Sequence, residues 1–408
     1  MSLSTHLEKT SPSLTRQQAW NRRLDFFGLA IWISLTLWLA ATAFLLYGVD
    51  FRGYYAAARV LLDGGNPYDY QQVVPMLLQV TGEMGNNPYY YPPWFAWIFI
   101  PFVKLPFQTA RALWMAINVL LWISGVWYLS ERLQWPPRGW KRYAFFTLAT
   151  YSIAWVTWRY EQAGILVFIV LLATLLSLER KQWNWAGFWL AIALIKPNIT
   201  LIVVAGICLW LVRRQRWRPV IVMIVWLAGL LAVSTWITPD WYKPFFETGF
   251  GQGLTQVLDG PNKVVALRIN TTLQDWLRAL GLAQPWRLLI YGLAMILGVL
   301  LFLHTVLHSE SILEVMSVSL LTSYALTPYA MQYDNPSLII VIFWALRLCS
   351  GSPKRMRVGF ALALFIFSVI FWQQNISWAY WMVVGSIALA VWARIMLKKT
   401  LLQQGSSV

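Results

Sequence analysis

Long runs of apolar residues without a charge set the first constraint on this chain. Ala30–Leu46 contains no charged side chain, and neither does Val220–Ile237. The length of such a run is close to the ~20 residues that a helix needs to cross a bilayer core. No period-two alternation of apolar and polar residues accompanies the runs. Helices are therefore expected rather than the strands of a membrane barrel, the other structure that satisfies every backbone polar group inside lipid. Charged residues make up 12% of the 408 residues and hydrophobic ones 59%, against about 25% charged in soluble domains. That leaves too little polar surface to cover a globule in water. Many tryptophans, including Trp135, Trp140, Trp183, Trp185, Trp236 and Trp241, fall near the ends of the apolar runs. Amphipathic rings collect at that position in membrane proteins, at the level of the headgroups.

The net charge of +16 does not indicate a nucleic-acid partner, because the cations are dispersed in short clusters between apolar runs. The clusters Arg138–Arg142, Arg180-Lys181, Arg213–Arg218, Lys354–Arg357 and Lys398-Lys399 fit a role in fixing topology against a cytoplasmic face. On that basis residues 1–25 form a cytoplasmic tail and Phe26–Gly48 a signal anchor. Residues 49–91 form a first outer loop, residues 238–284 a second, and the Pro328–Asp334 turn lies on the same side. The orientation requires Pro92–Pro106 to be re-entrant or broken and the halves around Lys196-Pro197 to form a hairpin. The alternative is two complete spans within Tyr91–Arg132. Further spans are expected near Ala112–Leu129, Tyr143–Trp158, Ile165–Leu178, Trp185–Ile195, Ile199–Val212 and Val220–Ile237, with four or five more up to Met396. The expected whole is an all-α polytopic membrane domain covering 1–408, with about 12 spans at roughly 20 residues each. Inside the first outer loop, Tyr54–Leu62 and Val73–Val80 are expected to be amphipathic helices on the membrane surface, the second with Pro75 in its first turn.

Few residues offer chemistry. Cys208 and Cys349 fall in apolar runs, and His6, His304 and His308 form no ligand set with them. Asp50 closes the first span and opens a structured loop, where a carboxylate is partly desolvated yet reachable; it suits a general base for a sugar hydroxyl, or a helix cap. Asp63, just before Gly64-Gly65, is a second choice for the base and the better choice for a turn. Lys196 is an intramembrane cation just before a proline, and buried charges in membranes are expensive. It reads either as a phosphate ligand or as a side chain snorkelling to an interface. Arg268 in the second outer loop is another phosphate candidate or a solvated arginine. Glu161-Gln162, and Gln332 with Asp334, read as contacts for a polar substrate or as plain polar boundaries.

Several of these residues sit in motifs that resemble glycosyltransferase family 87, a family of C-type glycosyltransferases also known as DUF2029. Asp50-Phe51 with Tyr54, Ala56-Ala57, Leu61, Gly64 and Tyr68 is similar to its first-loop signature. Tyr91-Pro92-Pro93 with Pro101 and Leu105-Pro106 is similar to a second block, and Leu194-Ile195-Lys196-Pro197 to a third. Leu273-Gln274 and Leu326-Thr327-Pro328 follow in family order. The chain departs from the family where Glu161-Gln162-Ala163-Gly164 stands in place of a G-Q-x-N element. It departs again where Tyr329, Gln332, Tyr333 and Asp334 occupy a turn that often carries histidine.

The resemblance implies a C-type glycosyltransferase fold in a bacterial plasma membrane, with the active site on the outer face. It implies transfer of a hexose, by analogy mannose, from a polyprenyl-phosphate sugar to a glycolipid or glycan acceptor. By it Asp50 is the catalytic base; alongside it, Lys196 and Arg268 are expected to hold the donor phosphate, and Tyr54, Tyr91, Glu161, Gln162, Gln332 and Asp334 to line the substrate site. The donor carries its own leaving group, so a base and one or two cations suffice, and a base that does not itself attack inverts the anomeric carbon. A divalent metal is compatible with this chemistry, but no ligand set demands one. The competing classes are a transporter or flippase for lipid-linked glycans, against which the absence of a visible internal repeat weighs, and a non-catalytic membrane scaffold.

Overall fold

The computed structural model describes residues 12–46, 50–82, 89–136, 138–247, 271–327 and 329–349, with the isolated positions 385 and 391. Every element among the described residues is helical. Four helices are long and apolar enough to cross a membrane: Ala19–Leu45 within α1 (Pro12–Leu45), α5 (Phe107–Leu133), α11 (Trp217–Ile237) and α14 (Gln284–His308). Shorter apolar helices, α8 (Gly164–Glu179), α10 (Pro197–Arg213) and α15 (Ile312–Leu326), fill the interior. The expected spans beyond Cys349, with the clusters Lys354–Arg357 and Lys398-Lys399, lie outside the described residues.

The segment expected as the first outer loop is more deeply built in than expected. Helix α2 (Asp50–Leu62) buries Phe51, Tyr54, Tyr55, Ala57 and Leu61 along with residues on its other faces. Phe51 packs among Phe99, Phe102, Phe107 and Trp114, so α2 is enclosed by protein instead of lying on a lipid surface. Helix α3 (Tyr70–Thr81) is the one-sided member of the pair, resting Val73 and Leu77 against Ala56 and Val60. It starts three residues before the expected Val73, because the Asp69 side chain accepts a hydrogen bond from the Gln71 N–H at 2.9 Å and caps it. Pro75 therefore stands inside the helix and not in its first turn. Gly82, at φ 72, closes the helix through an N–H bond to the Leu78 carbonyl.

Prolines break the next segment as their chemistry requires. Pro93–Trp97 forms a short helix α4, Phe102–Lys104 a single 3-10 turn, and α5 begins after Pro106. This segment is too short to span, so one long helix, not two, occupies Tyr91–Arg132. The block expected as a span near Tyr143–Trp158 is α6 (Trp140–Ala149), a π-helical turn over Thr150–Ala154, and α7 (Trp155–Arg159). At the turn, the Thr150 hydroxyl accepts from the indole N–H of Trp32 at 3.1 Å and of Trp122 at 2.9 Å, joining three helices at one buried atom. Helix α9 (Trp183–Ala193) stops before Lys196, and α10 restarts at Pro197, with the Thr200 hydroxyl donating to the Ala193 carbonyl at 2.6 Å across the break.

The polar connections sort by end. At one end Arg132 pairs with Glu179, Arg138 and Arg142 with Glu131, and Arg214 with Glu310. Arg216 lies over the Trp183 ring, and Arg218 donates to Asn184. At the other end the chain brings together the start of α2, the Tyr160–Ala163 turn, the break at Lys196 and the Tyr329–Ser337 segment, which contains a 3-10 turn over Gln332–Ser337 before α16 (Leu338–Cys349). Gly164 makes the last contact possible, since a Cβ there would meet the Tyr333 carbonyl oxygen at 2.0 Å. Gly164→Ala therefore has to displace the turn that carries Asp334. It is expected to lower stability by about 1–3 kcal/mol, as overpacking does, measured by denaturation of the detergent-solubilised protein.

Candidate active site

At that end of the bundle the amide of Gln162 is surrounded by polar groups from three other segments: α2, the stretch at Tyr91 and the break at Lys196. Its Nε2 donates to Asp50 Oδ2 at 2.7 Å. Its Oε1 accepts from Tyr54 OH at 2.8 Å, Tyr91 OH at 2.6 Å and Lys196 Nζ at 3.2 Å. Lys196 is also ion-paired with Asp334 Oδ1. Of the residues named from the sequence, Asp50, Tyr54, Tyr91, Gln162, Lys196 and Asp334 thus share one cluster.

Local structure explains each placement. Asp50 starts α2, and its N–H donates to the Tyr160 carbonyl at 3.3 Å, fastening the helix to the Gln162 turn. Lys196 falls in the gap between two helices, where proline forbids continuation. Asp334 enters the 3-10 turn with its Oδ2 accepting the Met331 N–H at 2.9 Å, and its own carbonyl accepts from the Tyr324 hydroxyl. The Asp334 carboxylate is 1% exposed and Lys196 5%, so each charge depends on the other for its main compensation. The rings of Tyr333 and Tyr91 flank the ammonium at 4.9 and 5.6 Å, adding cation–π attraction.

Asp50 differs from Asp334 in being half-buried and in having no ionic partner within salt-bridge distance among the described residues. Burial pushes its carboxyl up to about 6; the Gln162 hydrogen bond and the positive charges of Lys196 and Arg52 oppose that rise. The group is therefore largely ionised at neutral pH yet close enough to it to exchange a proton, the condition for an efficient general base.

Glu161 is directed elsewhere. Its backbone is left-handed, at φ 56, and α5 holds it there: Arg111 Nε pairs with Glu161 Oε1 at 2.5 Å, and Trp114 Nε1 donates to its carbonyl at 3.0 Å. Burial pushes the Glu161 carboxyl up to about 7 against the pull of Arg111. Glu161 thus belongs to the support of the turn. Gln332 is buried at the start of the 3-10 turn. Arg268 and Pro328 lie outside the described residues, although the second loop returns to the site where the Thr271 N–H donates to the Ala330 carbonyl at 2.9 Å. Asp63 pairs with Arg59 at 3.3 Å near the end of α2, a turn role. Sequence reasoning passed over Arg111, Trp114 and the ring of Tyr333. A guanidinium inside the apolar run that became α5 was the available signal for Arg111.

Against known proteins, the model of glycosyltransferase family 87 matches residues 89–328, well over half of the chain. The matched region holds Tyr91, Glu161, Gln162 and Lys196, while Asp50 and Asp334 fall on either side of it. No curated protein and no solved structure matches the chain.

The buried pair is open to a double-mutant cycle. Lys196→Met and Asp334→Asn should each cost roughly 3–5 kcal/mol, because each strands the other's charge in the interior. The double variant should cost much less than their sum. Additive losses in chemical denaturation of the purified protein would show that the two charges are not coupled.

Proposed function

Because the chain belongs to glycosyltransferase family 87, and is therefore a membrane glycosyltransferase, we propose that it transfers a hexose, mannose by family analogy, from a polyprenyl-phosphate donor to a glycolipid or glycan acceptor. Asp50 is the general base. The observation that carries this reading is the junction at Gln162, where a half-buried carboxylate on α2 and a buried ammonium meet on opposite sides of one amide. In the transfer, Asp50 takes the proton of the acceptor hydroxyl, the acceptor oxygen forms its bond to the anomeric carbon, and the bond from that carbon to the phosphate oxygen breaks. The electron pair leaves with the phosphate.

Lys196 stabilises the charge that develops there. Gln162 and Asp334 take up two of its N–H directions, and the third is assigned to a phosphate oxygen. Arg268 is proposed as the second cation, with Tyr54, Tyr91, Glu161, Gln162, Gln332 and Asp334 at or behind the sugar-binding wall. The proposal includes the finer architecture: a C-type glycosyltransferase fold of about 12 spans over 1–408. It also includes an outer-face site in a bacterial plasma membrane, supported by the gathering of basic connections at the opposite end of the bundle.

Asp50→Asn keeps the size of the side chain and its acceptor oxygen but cannot take a proton. Transfer of labelled sugar from polyprenyl phosphate by the purified variant should fall by about 10²–10⁴, with donor binding retained. Asp63→Asn should be far milder. Wild-type turnover in Asp50→Asn, or abolition of transfer by Asp63→Asn in a folded protein, would overturn the assignment of the base.

A further inference from the structure

An amide side chain can be placed either way round, and its surroundings decide which. At Gln162 the decision is forced. An ammonium has three donors and no acceptor, so the atom facing Lys196 Nζ at 3.2 Å is the amide oxygen. The NH₂ group must then face Asp50, where a carboxylate accepts it. Tyr54 and Tyr91 reinforce this arrangement: their hydroxyls are 3.0 Å apart and both donate to the same oxygen. The Ala163 N–H adds a contact at 3.3 Å. Rotating the amide by half a turn would set N–H groups against Lys196 and an oxygen against Asp50.

Gln162 is 5% exposed, and its carbonyl oxygen is surrounded by donors. No accepting capacity is left for a sugar hydroxyl, and its amide nitrogen is committed to Asp50. We propose that Gln162 is the positioning residue of the general base: its locked amide holds Asp50 Oδ2 and so presents Oδ1 to the acceptor hydroxyl. This rests on the reading of Asp50 as base, and it gives Gln162 a different role from the sugar contact expected from the sequence. It also makes Tyr54, Tyr91 and Lys196 part of the alignment, since each fixes the amide that fixes the carboxylate.

The isosteric variant Gln162→Glu isolates this role. Its oxygen toward Lys196, Tyr54 and Tyr91 can accept as before, so the lock persists. The other oxygen now faces Asp50 Oδ2 at hydrogen-bond distance, and two carboxylates so placed cannot both ionise. They share a proton, and the apparent pKa of the pair rises. The other groups that act on Asp50 stay in place: Lys196 and Asp334, Tyr90, Tyr91 and Tyr333, Glu161, and Arg52 and Tyr54 on its own helix.

The experiment is the pH profile of kcat/KM for sugar transfer, run on wild type, Gln162→Glu and Asp50→Asn. For Gln162→Glu we expect kcat at pH 7 to fall roughly 10- to 100-fold. The acid limb should move up by about one unit or more, activity should return on the alkaline side, and donor KM should stay unchanged. Tyr54→Phe, which removes one lock without touching Asp50, should lower kcat and move the acid limb up in the same pH profile; it carries the test if Gln162→Glu does not fold, and an unmoved limb there overturns the positioning role. An unmoved acid limb in Gln162→Glu, or a raised donor KM with an unmoved limb, overturns the positioning role. Turnover in Asp50→Asn overturns the base itself, and so distinguishes failure of the underlying reading from failure of this one.

Discussion

Lys196 carries a full charge into the interior, and much of the site end of the molecule is arranged to receive it. A buried ammonium is tolerated only with an opposite charge and satisfied hydrogen bonds. Asp334 supplies the charge, Gln162 the hydrogen bond, and the rings of Tyr91 and Tyr333 the electron-rich faces. Those partners come from separate stretches of chain, so satisfying one cation draws the first loop, the Gln162 turn, the break between α9 and α10 and the late turn into contact. Gly164 permits the closest of these approaches, and the Thr157 hydroxyl, donating to the Tyr333 carbonyl at 3.1 Å, fastens it. The polar cluster is at once a packing requirement and the place where chemistry is available.

Most helices were legible because their causes are local. The uncharged runs at Ala30–Leu46 and Val220–Ile237 became α1 and α11, and the prolines between Pro92 and Pro106 broke the chain where they had to. Capping is also local: the Asp69 side chain starts α3 at Tyr70, three residues ahead of the expected Val73. What the sequence did not disclose depends on partners far along the chain. The burial of α2 follows from Phe99, Phe102 and Trp114 closing over Phe51. The pairing of Arg111 with Glu161, and the π-helical turn at Thr150 with its two indole donors, likewise require segments whose proximity no periodicity predicts. For the site, the sequence indicated which residues were unusual, namely Asp50, Lys196, Gln162 and Asp334. It did not indicate that Glu161 supports the turn from behind while its neighbour Gln162 joins the cluster.

The carboxylates are distinguished by what holds them. Glu161 is tied to Arg111 and Asp334 to Lys196, each deeply buried, whereas Asp50 is half-buried and is held, among the described residues, by the Gln162 amide. In glycosidases that retain configuration, a nucleophilic carboxylate commonly works beside an acid or base, the two groups lying close together. The two ion-paired carboxylates are occupied by their cations, which singles out Asp50 within this cluster as the proposed base. As the proposed base on the acceptor hydroxyl, Asp50 supports one displacement, with the leaving group departing from the opposite face of the anomeric carbon.

The stereochemistry of the product tests this account most directly. Nuclear magnetic resonance of the glycoside formed from a donor of known anomeric configuration reads it without altering the protein. Inversion at the anomeric carbon is the result predicted here. Retention of configuration would contradict a single displacement with Asp50 as the general base.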